Sequence, residues 1–155
     1  MSEREIRRRS MVRSVCKQAW IYLKRTTVSD LSWAFRIAWM KIRIGGLRVH
    51  HSKVRGVTYG NRQKLLKRLS CYRDEEIKLI VSREYDNPYD RNAIEIYASV
   101  ERKGTACIGY VGKQLAESLS AMMDDGAWVI PVLETVTGGT RGKAFGMNFS
   151  FVIVT

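Results

Sequence analysis

The sequence predicts a mainly β domain, a small barrel of six short strands with two short helices, preceded by a helical extension. Three observations carry this prediction. Apolar residues recur with period two in six separate runs from about Arg48 onward, they recur at intervals of three and four in two stretches between those runs, and residues 1–46 show only the helical spacing. A chain of 155 residues can build one real core and still carry an extension. Its apolar fraction of 45% against 27% charged residues is that of a folded globular protein.

In the extension, Ile6, Val12, Val15, Ala19, Trp20 and Leu23 alternate with Arg and Lys, which predicts an amphipathic helix over 5–24. Thr26, Thr27, Ser29 and Asp30 break it, and Ser29 or Asp30 suits the N-cap of a second helix over 31–43. Trp33, Phe35, Ile37, Trp39, Met40 and Ile42 lie almost all round that second helix. It is therefore expected to pack on the domain, on a partner or on a second copy. Gly45-Gly46 ends it and divides the chain into an extension, 1–46, and a barrel domain, 47–155.

The strands are expected at 48–59, 75–83, 93–100, 105–111, 127–137 and 143–155. Helices are expected over Arg62–Leu69 and Lys113–Met123, the second burying Leu115, Leu119, Met122 and Met123. Asn87-Pro88-Tyr89-Asp90 followed by Asn92 is a strong turn signal, Lys103-Gly104 is another, and Gly138-Gly139 joins the last two strands. Six short strands with two helices fit a small closed barrel.

Charge is divided unevenly. Of a net +12, residues 1–56 hold 14 basic against 3 acidic side chains, a net of +11, and the remainder is nearly neutral. Such a basic handle attracts phosphate backbones or anionic lipid. Cys16, Cys71 and Cys107 lie far apart with no paired spacing, and His50-His51 has no companion at metal-ligand spacing, so neither a disulfide framework nor a metal site is expected. No run approaches the roughly 18–20 apolar residues of a membrane span. A soluble chain of the reducing cytosol, without cofactor or metal, is the expectation. No Gly-rich phosphate loop, catalytic triad or zinc motif points to an enzyme; Asp86 and Asp90 are too few acids for a two-metal nuclease.

The segment Ser82-Arg83-Glu84-Tyr85-Asp86-Asn87-Pro88-Tyr89-Asp90-Arg91-Asn92-Ala93-Ile94 resembles the signature of the HIRAN family, approximately R-E/D-P-x-N-P-Y-D-x-N-A-I. Its expected surroundings are Gly56-Val57-Thr58-Tyr59 before a helix, Ile108-Gly109-Tyr110-Val111 before a second helix, and Ala144-Phe145 at the opening of the last strand. The resemblance covers about residues 50–155 and leaves the basic extension outside. It implies an OB-like barrel in a small stand-alone member, non-catalytic, that binds single-stranded DNA at a free 3′ end. The terminal base would sit between aromatic rings.

Tyr59 and Tyr89 are the rings that can stack on a base from two sides, which contributes roughly 1–3 kcal/mol per base without regard to sequence. The resemblance puts Phe145 at a third aromatic position, where filling the core is the competing role. Asp90 has two readings: it accepts a charge-assisted hydrogen bond from a sugar hydroxyl, or it caps its own turn. Where the family usually carries a basic residue before the tyrosine, this chain has Thr58. Arg62 and Lys113, at the starts of the two helices, are then the candidates for phosphate. Asn87 and Pro88 read as scaffold of the turn. The alternative function is a docking subunit of a repair, restriction or phage-replication machine that offers helix 31–43 to a helicase or repair-protein partner, or to another copy of itself. A helix lying on a membrane surface is a weaker third.

Overall fold

The structure, a computed structural model, describes residues 1–26, 28, 30–43 and 49–154. Helix α1 spans Glu3–Arg25 and α2 spans Leu31–Arg43. Ser2 caps α1 by accepting the Glu5 N–H at 3.3 Å. Asp30 caps α2, its Oδ1 accepting the Ser32 N–H at 2.6 Å and its carbonyl that of Ala34. The other expected cap, Ser29, and the Gly45-Gly46 joint with its boundary at 46/47 lie outside the described residues. Between the helices the Thr26 hydroxyl donates to the Tyr22 carbonyl at 2.5 Å and accepts the Val28 N–H at 3.1 Å, which closes the hairpin.

This hairpin has its own apolar seam. Val15, Ala19 and Tyr22 of α1 meet Ala34, Ile37 and Ala38 of α2, and with Val28 they settle on Ile130 and Val152 of the sheet below. The spacing 34, 37, 38 is one helical stripe, so α2 does not bury its whole circumference. Trp39 stays 36% exposed beside the seam, where the sequence led us to expect burial, because only one face of α2 can meet α1 and the sheet. The side chains of Trp33 and Met40 lie outside the described residues.

Six strands follow: β1 Val49–Lys53, β2 Ile77–Arg83, β3 Ile94–Val100, β4 Gly104–Tyr110, β5 Trp128–Thr137 and β6 Gly146–Val154. Helix α3 spans Arg62–Leu69 after β1, and α4 spans Lys113–Asp124 after β4. All pairings are antiparallel, in two three-stranded sheets ordered β1-β6-β5 and β2-β3-β4. Alternating residues of both sheets, among them Phe149 and Phe151 from β6 and Ile77, Leu79 and Ile96 from β2 and β3, form the main core, together with Leu66 and Leu69 of α3 and Ala116 and Leu119 of α4. The molecule is thus layered, with the helical hairpin on the outer face of one sheet and the second sheet on its inner face.

The expected strand over 48–59 ends at Lys53, and the reason decides the architecture. Val54 still donates to the Met147 carbonyl, but Arg55 turns to the other sheet and exchanges both backbone hydrogen bonds with Tyr110, at 2.8 and 2.9 Å. Gly56, at φ +70°, then takes the chain out of the sheet. This corner needs Gly109 opposite it: a Cβ there would fall 2.3 Å from the Arg55 carbonyl oxygen and 2.5 Å from Val54. Among the described residues Arg55–Tyr110 is the hydrogen-bonded link between the sheets, and β2 faces β5 without sharing a ladder. No closed barrel forms among them.

Candidate nucleic-acid interface

The turn after β2 is held by its own side chains before anything binds to it. The Asn87 amide oxygen accepts the N–H groups of Tyr89 and Asp90 at 2.8 and 2.9 Å, and its amide nitrogen donates to Glu84 at 2.6 Å. Asp90 Oδ1 in turn accepts the Asn92 N–H at 2.9 Å, leaving Oδ2 without a partner among the described residues. The capping role foreseen for Asp90 is therefore present, and one carboxylate oxygen remains for a further donor.

Arg83 braces the turn from outside. Its guanidinium donates to the carbonyls of Ala93 at 3.0 Å and Arg91 at 3.2 Å, and to both carboxylate oxygens of Asp124 at the end of α4, at 3.1 and 3.3 Å. The Tyr85 hydroxyl donates to the same carboxylate at 2.9 Å, and the Tyr85 ring lies 4.7 Å from the Arg83 guanidinium. Hydrogen bonds from Arg83 and then Tyr85 hold the Asp124 carboxyl below its ordinary range. Tyr89, on the tip of this braced turn, is 95% exposed.

Tyr59 stands on the second turn, beyond the corner. It is 76% exposed, and one side of its ring lies 5.5 Å from the Arg62 guanidinium, which also lies 5.1 Å from the Tyr110 ring. Arg62 donates to the Gly56 carbonyl at 2.8 Å and approaches the Cys107 sulfur at 3.9 Å, so its head is set between two rings and still partly open. The Tyr110 hydroxyl is raised above its ordinary range by burial and then by the Glu84 carboxylate, with Arg62 pulling the other way. Tyr59, Arg62, Tyr110, Glu84, Asn87 and Tyr89 thus form an unbroken chain of neighbours from one turn to the other. These contacts link the turn that carries Tyr59 to the turn that carries Tyr89.

The remaining expected residues divide. Thr58 is exposed beside Tyr59, and Lys113 is exposed at the first position of α4. Phe145 is half-buried and packs on the main core, its ring over Gly139, where a Cβ would come within 2.3 Å of it. Gln63 clamps the Phe145 backbone from both sides, at 2.8 and 2.9 Å, and donates to the Val57 carbonyl at 2.8 Å, which ties this segment to the Tyr59 turn. Sequence reasoning missed Gln63, Arg83, Asp124, Tyr110 and Arg55. The Arg55 side chain is exposed beside Gly112, the residue before α4, where a Cβ would lie 3.7 Å from its Cγ and Nε. It adds a cation next to Lys113. Arg83 had a signal, its place inside the motif, and Tyr110 another, its place in the segment Ile108-Gly109-Tyr110-Val111. The others are brought in by the corner and by α4, 41 residues away in the case of Asp124.

The family model described as the HIRAN domain matches residues 44–154. A crystal structure of a protein from Lactobacillus plantarum, a structural genomics target, is 18% identical, with 69% of this chain and 98% of that chain covered and a TM-score of 0.47. No curated protein matches the chain. Among the described residues no helix is long and apolar enough to cross a membrane. With more than half of its length matched, the chain belongs to the HIRAN family, whose domains are generally nucleic-acid-binding modules.

Proposed function

We propose that this protein is a non-catalytic module that captures single-stranded DNA at a free 3′-hydroxyl end. The observation that carries the proposal is the pair of tyrosines, Tyr59 and Tyr89, 76% and 95% exposed on turns that are each fixed by side-chain hydrogen bonds. Large rings left in water on rigid supports suit stacking on a partner's π-face, and a nucleobase has one. Asp90 Oδ2 is the acceptor for the sugar hydroxyl. Arg62, Arg55 and Lys113 supply phosphate donors, with Arg62 in the role of the basic residue that Thr58 replaces. Phe145 supports the Tyr59 turn from the core side, through Gln63. Residues 47–155 are the binding module, with the two sheets joined at Arg55 as an open form of an OB-like barrel, and residues 1–46 add non-specific phosphate affinity.

Fluorescence anisotropy with 5′-labelled oligonucleotides tests this. A single strand with a 3′-hydroxyl should bind more tightly than one with a 3′-phosphate and more tightly than blunt duplex. Equal affinity for all three would remove end capture. The second reading, a docking subunit, is favoured by Trp20, Leu31 and Trp39, which are 54%, 51% and 36% exposed on the hairpin. It becomes the main one if the protein ignores oligonucleotides and retains a helicase or repair protein.

A further inference from the structure

A cleft of about 460 Å³ opens between α3 and the outer strand β4, away from the two tyrosine turns. That volume lies within the roughly 300–1,000 Å³ of ligand sites. Ala98, Val100, Ala106 and Ile108 of the sheet form its apolar floor, Leu65, Leu69 and Tyr72 form one wall, and Arg68 and Lys103 stand at its rim. Among the described residues no acidic side chain lines it. Helix α3 contributes Arg62, Lys64, Lys67 and Arg68 and no carboxylate.

The cleft and the candidate interface share helix α3, whose first residue, Arg62, belongs to the interface and whose later residues line the cleft. Arg62, Leu65 and Leu69 are three and four residues apart, hence on one face of α3; Arg62 approaches Cys107 at the edge strand, and Leu65 and Leu69 line the cleft with Ala106 and Ile108. Tyr72 extends the line past the helix end. From Arg62 to Leu69 the wall runs about 10 Å at the helical rise. A strand that leaves Tyr59 and Arg62 and follows α3 would meet the apolar cleft and the two cations at its rim.

We infer that the α3–β4 cleft is a second nucleotide subsite, which takes a base of the same strand upstream of the captured end while Arg68 and Lys103 hold the adjoining phosphates. This rests on the end-capture reading and extends it to a site that reads strand length. Positive rim, apolar floor and the lack of acids select a polyanion carrying flat apolar groups. A peptide strand added along the β4 edge is the other conceivable occupant.

The test uses the full chain and 5′-fluorescein oligothymidylates with 3′-hydroxyl ends, two, four, six and eight nucleotides long, with thermal melts for each variant. Wild-type affinity should climb at least about tenfold between two and six nucleotides. Arg68→Glu and Lys103→Glu should lose most of that climb and keep the dinucleotide affinity. Lys103 is exposed in the loop before β4, so its variant tests the idea even if Arg68→Glu folds poorly. Tyr72→Ala, if folded, should also flatten the climb. A wild type that binds the dinucleotide with no gain from length overturns the inference alone. So does a climb unchanged in both charge variants, the result expected if β4 recruits a peptide. No binding at any length overturns the end-capture reading along with it.

Discussion

Replacing Asp90 by Asn separates its two roles, because the structure gives them to different oxygens. Oδ1 accepts the Asn92 N–H at 2.9 Å, and the Asp90 N–H donates to Asn87 at 2.9 Å. Asparagine keeps the first acceptor and the backbone donor, so the turn survives while the charge is removed. A 3′-phosphate seated in place of the hydroxyl would bring its charge to within about 4 Å of the carboxylate, a repulsion of about 1 kcal/mol in water and about 4 kcal/mol at an effective dielectric of 20. Asp90 is half-buried, so we take about 2 kcal/mol, roughly a thirtyfold preference for hydroxyl over phosphate that the charge sustains. Asp90→Asn should remove most of this ratio and weaken hydroxyl-end binding by about 1 kcal/mol, the charge-assisted part of the hydrogen bond. Anisotropy titrations with both ends, beside a melting curve, measure it. A folded variant with the wild-type ratio would refute the reasoning, and equal losses at both ends with a lowered melting temperature would make Asp90 a turn residue only.

Tyr89→Ala should cost about 1–3 kcal/mol in binding for any terminal base and leave the melting temperature within a degree or so, since the ring touches little of the fold. Deleting residues 1–14, all exposed and carrying Arg4, Arg7, Arg8, Arg9 and Arg13, should weaken binding to every sequence alike and reduce the salt slope by about 0.7 for each phosphate that is no longer neutralised; an unchanged slope would remove the handle. The Tyr22 hydroxyl is buried with no hydrogen-bond partner among the described residues and its pKa is pushed up to about 12 by burial, so Tyr22→Phe should be neutral or raise stability by up to about 1 kcal/mol in urea titrations; a clear loss would mean that the hydroxyl is bonded. The Asp124 carboxyl is held below its ordinary value in the folded state, so its contribution is complete above that value and disappears as pH falls through the lower, folded one. Amide exchange over residues 84–93 should therefore speed up only under acid, and Asp124→Asn should make it fast already at neutral pH.

The fold was legible where one period dominated. The alternation expected over 75–83 and 93–100 returned as β2 and β3, which start at Ile77 and Ile94, and α3 has the bounds the pattern drew; of the stripe expected on α4, Leu119 is buried and Leu115 and Met123 pack on the core, whereas Met122 is 42% exposed. Closure was not legible. A run such as 48–59 keeps its alternation through Arg55 while the backbone changes sheets beneath it, because alternation reports which face is buried and not which ladder pairs the strand. Trp39 failed for a related reason: composition counts apolar residues around a helix, whereas burial depends on how many faces find a neighbour.

The site shows the same division between local and long-range information. Asn87 and Asp90 bond backbone two and three residues away, so their roles in the turn follow from the sequence order itself. What makes the turn rigid is Arg83 reaching Asp124 in α4, and what orients Tyr59 is Arg62 set against Tyr110 across the corner. These interactions exist only once the sheets have met. This bears on the absence of a basic residue at Thr58. A cation at position 58, on an exposed turn, would be free to swing. Arg62 is fixed by the Gly56 carbonyl and by two rings, so less side-chain entropy is given up when a phosphate arrives. In our reading the substitution moves the phosphate donor from the turn to the helix and stiffens it, and the same helix then leads the DNA strand toward Arg68.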